Sequence, residues 1–314
     1  MKTRHALVGD IGGTNARFAI ADLDTLSVNH VAVHPCRDFP SLEDALRAYV
    51  ATLKQAPTRA CLAVAAPLRS ETVRMTNLNW IFTADSLRAA TGIEDLRLIN
   101  DFEAQARVLP HLLPRDLHRI GGGASRDYLP KVVLGPGTGL GMAGLVHDGD
   151  GWIPVASEGG HVSFAAETEE EFGIMRRMGD ELGRVSAERM ISGLGIEKVH
   201  VILSQMRGHK PRAIPVAEIA RLAIGGGDEL AVDTFDYFAT WLGRFAGDMA
   251  LTFGAAGGVY IAGGIAPKTL PILEKGGFWE AFCGKGRMSG FLESIPVEVV
   301  TASDTGLRGA AAAL

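Results

Sequence analysis

The chain has only three cysteines in 314 residues, Cys36, Cys61 and Cys283, scattered and without any C-x-x-C spacing. That excludes a disulfide framework and a structural zinc site built on paired cysteines. It also lacks a Lys/Arg block. Its 31 basic residues are spread among 36 acidic ones for a net charge of -5, and no basic stripe interleaved with aromatics offers a footprint for a phosphate backbone. No nucleic-acid partner is expected, and a bound anion must be held by backbone amides and local geometry against an unfavourable overall field. Long hydrophobic runs are missing as well. The glycine-studded apolar stretch GAAGGVYIAGGIAP, 254–267, falls short of the roughly 20 residues a spanning helix needs and reads as a buried strand with turns. The opening MKTRHALVGD has neither an apolar h-region nor a small-residue cleavage site, so no membrane association and a cytoplasmic location are expected.

What is present is a globular composition, 47% hydrophobic and 21% charged, in a length suited to about two domains. The first hundred residues alternate strand-like runs (5–11, 16–23, 28–34, 60–66, 72–76 and 96–100) with helical patterns, the mark of an α/β domain. SLEDALRAYVATLKQA places Leu42, Ala45, Leu46, Tyr49, Val50 and Leu53 on one helical face, opened by a Ser41 cap with Asp44 in its box. After the proline-bearing connection LPHLLPRDLHRIGGGASRDYLP the pattern starts again. KVVLGPGTGLGMAGLVHDGDGWIPVAS reads as strand, glycine loop, strand, Asp-Gly hairpin and strand, an echo of the opening of the chain. From Thr168 the sequence turns mostly helical, with a second box at Thr168 and Glu171. The amphipathic stretch 228–253 buries its apolar face in its own core or against a second copy, and a homodimer is expected. VEVV near the end reads as a strand returning to the first domain. Two similar α/β cores then frame a cleft.

The stretch VGDIGGTNAR, 8–17, carries more polar equipment than a turn between two strands needs. Glycines 12 and 13 allow a ligand close to the backbone, Thr14 and Asn15 offer side-chain donors, and successive amides suit phosphate oxygens. Asp10 would repel phosphate, a conflict that Mg²⁺ held through water resolves. The plainer reading is a tight hairpin, since the spacing matches neither the Walker loop nor the dinucleotide fingerprint. A second loop, GPGTGLG at 135–141, again sits between two strands, and the pair could grip a polyphosphate from two sides.

LRLINDFEAQA ends a strand at Asn100 and Asp101 and begins a helix, which puts both side chains at a strand's C-terminal edge, where open α/β sheets bind ligands. Asp101 alone would also serve as a helix cap. SEGGHVSF brings Glu158 and His161 around a glycine pair that reads as flexible, a carboxylate and an imidazole suited to several hydroxyls. A Glu-x-x-His metal site would need a helix and a second copy. In VSAERMISG, Ser186 reads as a cap and Glu188 lies in the first helical turn. Gly263 and Gly264, before Pro267 opens a helix, leave a surface flat enough for an adenine-sized ring.

Together GDIGGTNARFAI, LINDFEA, GPGTGLG, SEGGHVSF, SAERMISG and YIAGGIAPK resemble the bacterial glucokinase family of the hexokinase, actin and heat-shock ATPase superfamily, in that family's order and over essentially the whole chain. The resemblance implies a two-domain ribonuclease H-like (actin-like ATPase) α/β fold with the active site in the interdomain cleft. It implies a small domain at 1–110 completed by 299–314, and a large domain at 111–298 with a helical insertion. It makes ATP and glucose the substrates, Asp101 the general base, and Asn100, Asp101, Glu158, His161 and Glu188 the sugar-binding residues. Gly9, Asp10, Ile11, Gly12, Gly13 and Thr14 would face phosphates and Mg²⁺, the ion held by Asp10 through water. Gly137, Thr138 and Gly139 would form the second phosphate loop, and Gly263 and Gly264 would lie by the adenosine. The sequence departs from the family at Leu194, where a proline is usual, and at the ending DTGLRGAAAAL, which lacks the customary Leu-Leu-Gly. A kinase of another hexose or amino sugar is the alternative enzyme. A sugar-responsive repressor would need a helix-turn-helix ahead of the first strand, and a polypeptide-binding ATPase would need a further module.

Overall fold

The computed structural model describes residues 4–55, 57–68, 70–75 and 78–314. It divides into two compact units, Met1–Leu112 with Ala302–Leu314, and Leu113–Thr301. The first contains β1 (His5–Ile11), β2 (Asn15–Asp22), β3 (Val28–Pro35), α1 (Leu42–Val50), β4 (Arg59–Val64), the short hairpin β5 (Thr72–Arg74) and β6 (Ile81–Thr83), α2 (Ala84–Thr91), β7 (Asp95–Asn100) and α3 (Asp101–Val108). The strand expected at 72–76 ends at Arg74, and Thr76 lies outside the described residues. The main sheet runs β3-β2-β1-β4-β7, with β1 antiparallel to β2 and parallel to β4, and β4 parallel to β7. Register sets the ends level: Ile11 lies opposite Val64, and Val64 opposite Asn100.

Alternation along the strands divides the core between the two faces of this sheet. Leu7, Phe18 and Leu62 pack with Leu42, Leu46 and Tyr49 of α1, whereas Val8, Ala19, Cys61 and Ala63 pack on the other face. Each fully buried large side chain contributes about 1.5–3 kcal/mol. Ser41 caps α1 by accepting the Asp44 N–H, while the Asp44 carboxylate takes the Ser41 hydroxyl.

The second unit contains β8 (Leu117–Gly121), β9 (Lys131–Pro136), β10 (Leu140–His147), β11 (Trp152–Ser157), α4 (Glu169–Leu182), α5 (Ala187–Ile191), α6 (Gly193–Met206), α7 (Val216–Gly225), α8 (Glu229–Phe253), β12 (Gly258–Ile261), α9 (Leu270–Lys275), α10 (Phe278–Cys283), α11 (Ser289–Glu293) and β13 (Val297–Val300). Its sheet runs β11-β10-β9-β12-β13-β8. The first five strands in that order repeat the arrangement of the other sheet, two antiparallel partners on one side of the central strand and two parallel ones on the other. This is the two-domain ribonuclease H-like class expected from the motifs. Among the described residues, no helix is long and apolar enough to cross a membrane.

Three expectations need correction. VEVV does not return to the first unit: it is β13, paired parallel to β12 and antiparallel to β8. The segment that does return is Ala302–Leu314, which carries α12 (Thr305–Ala312) and adds Leu307, Ala310 and Ala311 to the core of the first unit. Four valine-rich residues satisfy any sheet, so only the available edge chose the partner. Second, the polar proline-bearing connection contains an edge strand, β8, formed because β13 offers it a free ladder. Third, the long amphipathic helix α8 spends its apolar face inside its own unit, with Phe235, Phe238, Trp241 and Leu242 buried among α5, α6 and β9 residues, which removes the observation behind the expected homodimer.

Candidate active site

In the first unit, the expected residues gather where β1, β4 and β7 end. Gly9, Asp10 and Ile11 close β1, Gly12 to Thr14 form the connection to β2, and the Gly12 N–H donates to the Asn15 carbonyl (3.0 Å). The Thr14 carbonyl accepts the Cys36 N–H (2.8 Å), tying the loop to the end of β3. At the end of β7, the helix cap is Asn100 and not Asp101. The Asn100 Oδ1 accepts the N–H groups of Phe102 (2.9 Å) and Glu103 (3.3 Å), and its Nδ2 donates to Asp101 Oδ1 (2.9 Å). Asp101 Oδ1 also accepts the Phe102 N–H (3.0 Å), so the first turn of α3 and Asn100 together hold this carboxylate in place.

Electrostatics single out this edge. Partial withdrawal from water and then the nearby charge of Asp10 raise Asp101 to about 6, against the lowering effect of its hydrogen bonds from Phe102 and Asn100. Asp10 is raised as well, first by burial, with Arg17 opposing. The Arg17 Nη1 lies 3.9 Å from Asp10 Oδ2 and donates to the Ser303 carbonyl (3.1 Å), just before α12. The first turn of α12 presses against the same carboxylate: a Cβ on Gly306 would meet Asp10 Cγ at 2.7 Å. Arg17 and Gly306 escaped the sequence reading. Arg17 stands inside the loop motif itself, but nothing in one sequence pairs it with Ser303.

The departing C-terminal sequence is held without its Leu-Leu-Gly. A Cβ on Gly309 would lie 2.0 Å from the Ala104 carbonyl, so α12 sits directly on α3. Arg59 donates to the Leu314 carbonyl (2.9 Å) and Arg97 to that of Ala313, satisfying carbonyls a helix end leaves open.

In the second unit, the other expected residues gather around the end of β9. Gly137, Thr138 and Gly139 join β9 to β10, with the Gly137 N–H donating to the Gly139 carbonyl (2.8 Å). Gly263 follows β12 with a φ of +82 and backs onto the Pro136 carbonyl, and the space above Gly264 is open. Glu158 to His161 form a single tight turn, closed by the His161 N–H on the Glu158 carbonyl (3.0 Å), and not the helix a Glu-x-x-His metal site needs. The glycine pair in it is not a flexible spacer. A Cβ on Gly160 would come within 1.9 Å of the Leu140 carbonyl, so close packing on β10 demands glycine there.

Both side chains flanking the pair are exposed, and the His161 Nδ1 lies 3.8 Å from Glu188 Oε1. Ser186 caps α5 by accepting the Arg189 N–H (3.4 Å), which leaves Glu188 in the first turn to reach the Leu140 N–H with Oε2 (2.9 Å). That bond was not legible in SAERMISG. Nor was the Gly193 N–H, which donates to the Gly137 carbonyl (2.8 Å). Leu194 beside it is 64% exposed, so the missing proline costs no packing. The expected box at Thr168 is half made: Thr168 accepts the Glu171 N–H, while the Glu171 carboxylate takes the Glu167 N–H and a buried pair of hydrogen bonds from Arg244 (2.9 and 3.1 Å).

A glucokinase from Caulobacter vibrioides is 45% identical over 314 residues, covering 98% of this chain and 94% of its own. The crystal structure of a glucokinase from an Antarctic psychrotroph superposes with a TM-score of 0.87 at 38% identity, covering 100% of this chain and 99% of that one. A ROK family glucokinase from Streptomyces griseus, solved in complex with glucose and AMPPNP, shares the fold at a TM-score of 0.68 and 20% identity, covering 98% of each chain. The sequence model of the glucokinase family matches residues 7–314, and with both glycine loops, the Asn-Asp pair and the Glu-Gly-Gly-His turn in place the chain belongs to that family.

Proposed function

We propose that this chain is a cytoplasmic ATP-dependent glucose kinase. It transfers the γ-phosphoryl group of ATP to the 6-hydroxyl of D-glucose, giving glucose 6-phosphate and ADP, the opening step of glycolysis. The observation that carries this reading is Asp101: a carboxylate at the C-terminal edge of a parallel strand, held by Asn100 and the Phe102 N–H and raised to about 6 by its surroundings. A general base works best with a pKa near the operating pH. The sugar oxygen attacks phosphorus, its proton passes to Asp101, and the bond from phosphorus to the β,γ-bridging oxygen breaks to release ADP.

Phosphoryl transfer asks the protein mainly for positioning and charge stabilisation. Residues 9–14 and 137–139 supply amides and the hydroxyls of Thr14 and Thr138 to the polyphosphate. Gly263 and Gly264 face the adenosine, while Asn100, Glu158, His161 and Glu188 hold sugar hydroxyls. Mg²⁺ fits the donor set. Asp10 and Asp101 place two carboxylates in one electrostatic neighbourhood with Arg17 opposing at 3.9 Å, and Asp10 would hold through water an ion that takes its remaining ligands from phosphate. Bound there, the ion would neutralise charge on the phosphate oxygens.

The test is a coupled assay of ADP formation with glucose, mannose, fructose, N-acetylglucosamine and N-acetylmannosamine. Glucose is expected to give the highest kcat/KM. A strong preference for another sugar would overturn the substrate and leave the mechanism.

A further inference from the structure

The second phosphate loop is held at both ends by one short stretch of chain. At its exit, the Glu188 Oε2 accepts the Leu140 N–H (2.9 Å). At its entry, the Gly137 carbonyl accepts the Gly193 N–H (2.8 Å). Between those two anchors lie only the rest of α5, Arg189 to Ile191, and Ser192, whose own N–H donates to the Glu188 carbonyl (3.0 Å). The fit is close: a Cβ on Gly139 would stand 2.5 Å from Glu188 Oε2, so that carboxylate oxygen occupies the space beside the loop that any larger residue would need. The other oxygen, Oε1, faces His161 Nδ1 at 3.8 Å, on a side chain that keeps 28% of its surface exposed. The turn carrying His161 in turn rests on the Leu140 carbonyl through Gly160.

From this geometry we infer that Glu188 is a positioning residue for the phosphate loop, and that through its two oxygens the second unit couples sugar occupancy to phosphate binding. The inference rests on the glucose-kinase reading for the identity of the sugar, and on observed contacts alone for the hold on the loop. A hydroxyl donating to Oε1 fixes the carboxylate plane. That fixes Oε2 against Leu140 and Gly139, so part of the ordering of residues 137–139 is already met when the nucleotide arrives. Coupling of this kind is reciprocal, and typical couplings change affinity by about 5–150-fold.

The experiment measures, by calorimetry, the affinity of the Mg²⁺ complex of a non-hydrolysable ATP analogue with and without saturating glucose. In the unaltered protein glucose should tighten the analogue by about fivefold or more. Glu188→Ala, with glucose raised until the variant is saturated by direct titration, should weaken the analogue in the absence of sugar and bring the ratio with and without glucose to about one. Glu188→Gln keeps an oxygen acceptor for the Leu140 N–H, so its sugar-free affinity should stay within about threefold of the original, which also guards against a misfolded alanine variant. Gly139→Ala, which pushes Oε2 off its seat, should mimic Glu188→Ala. An unchanged ratio in Glu188→Ala, or an unaltered protein that binds glucose and analogue independently, would overturn the coupling. If the unaltered protein binds no glucose, the substrate reading fails instead. The sugar-free comparison of the alanine and glutamine variants still decides the hold on the loop: equal affinities would overturn it.

Discussion

The two units share a strand order and a glycine loop after the central strand, yet the loops are kept in place by different means. Gly12 to Thr14 is tied by backbone hydrogen bonds to Asn15 and Cys36, and beside it stand Asp10 and Asp101, with Arg17 at 3.9 Å from Asp10 as the opposing charge. Gly137 to Gly139 is gripped by a carboxylate and a helix N-terminus, and both of its anchors lead back to the turn at 158–161 or to α5. The same topology therefore serves two purposes. One edge accumulates negative charge that raises its own proton affinity, and the other spends its charged group on geometry. A glycine-bearing strand–turn–strand is a frame whose chemistry is set by what the neighbouring helices bring to its end.

The comparison breaks most visibly at Asp101. Asp101→Asn keeps the shape and the hydrogen bond with Asn100 but cannot take a proton, so turnover should fall by roughly 10²–10⁴-fold while glucose affinity changes little. Near-normal kcat in a steady-state assay would reduce the first unit's edge to scaffolding. Next in size is Gly306→Ala, whose new Cβ would meet Asp10 Cγ at 2.7 Å. Displacing that carboxylate by about 1 Å should cost on the order of 10²-fold in kcat/KM. An equivalent loss of melting temperature without loss of kcat would show α12 to be packing alone.

His161→Ala probes the other edge. It should raise the glucose dissociation constant by roughly 5–150-fold, the worth of about 1–3 kcal/mol, and leave kcat at saturating sugar largely intact, because this edge positions and does not accept the proton. A fall in kcat with unchanged affinity would erase the distinction between the units.

The smallest effect is on stability. Asp101 titrates at about 6 in the folded chain against 3.8 for a free carboxyl. Between those values the folded state holds a proton the unfolded state has released. This contribution to stability is therefore complete below the lower value and lost as pH rises through the upper one. In metal-free protein, melting temperature should decline across that window, and Asp101→Asn should flatten the decline. In the active protein, kcat/KM should fall as pH drops below about 6, where the base is occupied.

Much of this was readable from the chain. Continuous apolar runs in HALVGDI and RFAIAD marked β1 and β2 within a residue, and the Asp-Gly repeat at 148–151 marked the turn between β10 and β11. The two glycine loops stood out by carrying more glycine and polar residues than turns require. The failures share a cause. β8 was hidden because an edge strand needs little apolar character of its own, and VEVV was misassigned because its composition fits either sheet. The Glu-Gly-Gly-His glycines read as flexible because a single sequence does not distinguish a glycine needed for freedom from one needed for closeness.

By itself, then, the sequence determined which segments become strands and helices, that a glycine loop follows a strand in each half, and which side chains have the chemistry for a base, for phosphate and for hydroxyls. Those are local properties, fixed by side-chain period, caps and backbone freedom over a few residues. Only the tertiary structure decided that Asn100 caps α3 and holds Asp101, that Arg17 and Gly306 bracket Asp10, and that Glu188 and Gly193 hold the ends of the second loop. Most of these join groups tens to hundreds of residues apart, brought together by the burial of apolar faces. Burial is non-directional: it fixes which surfaces meet, and only the packed result shows which polar atoms meet with them.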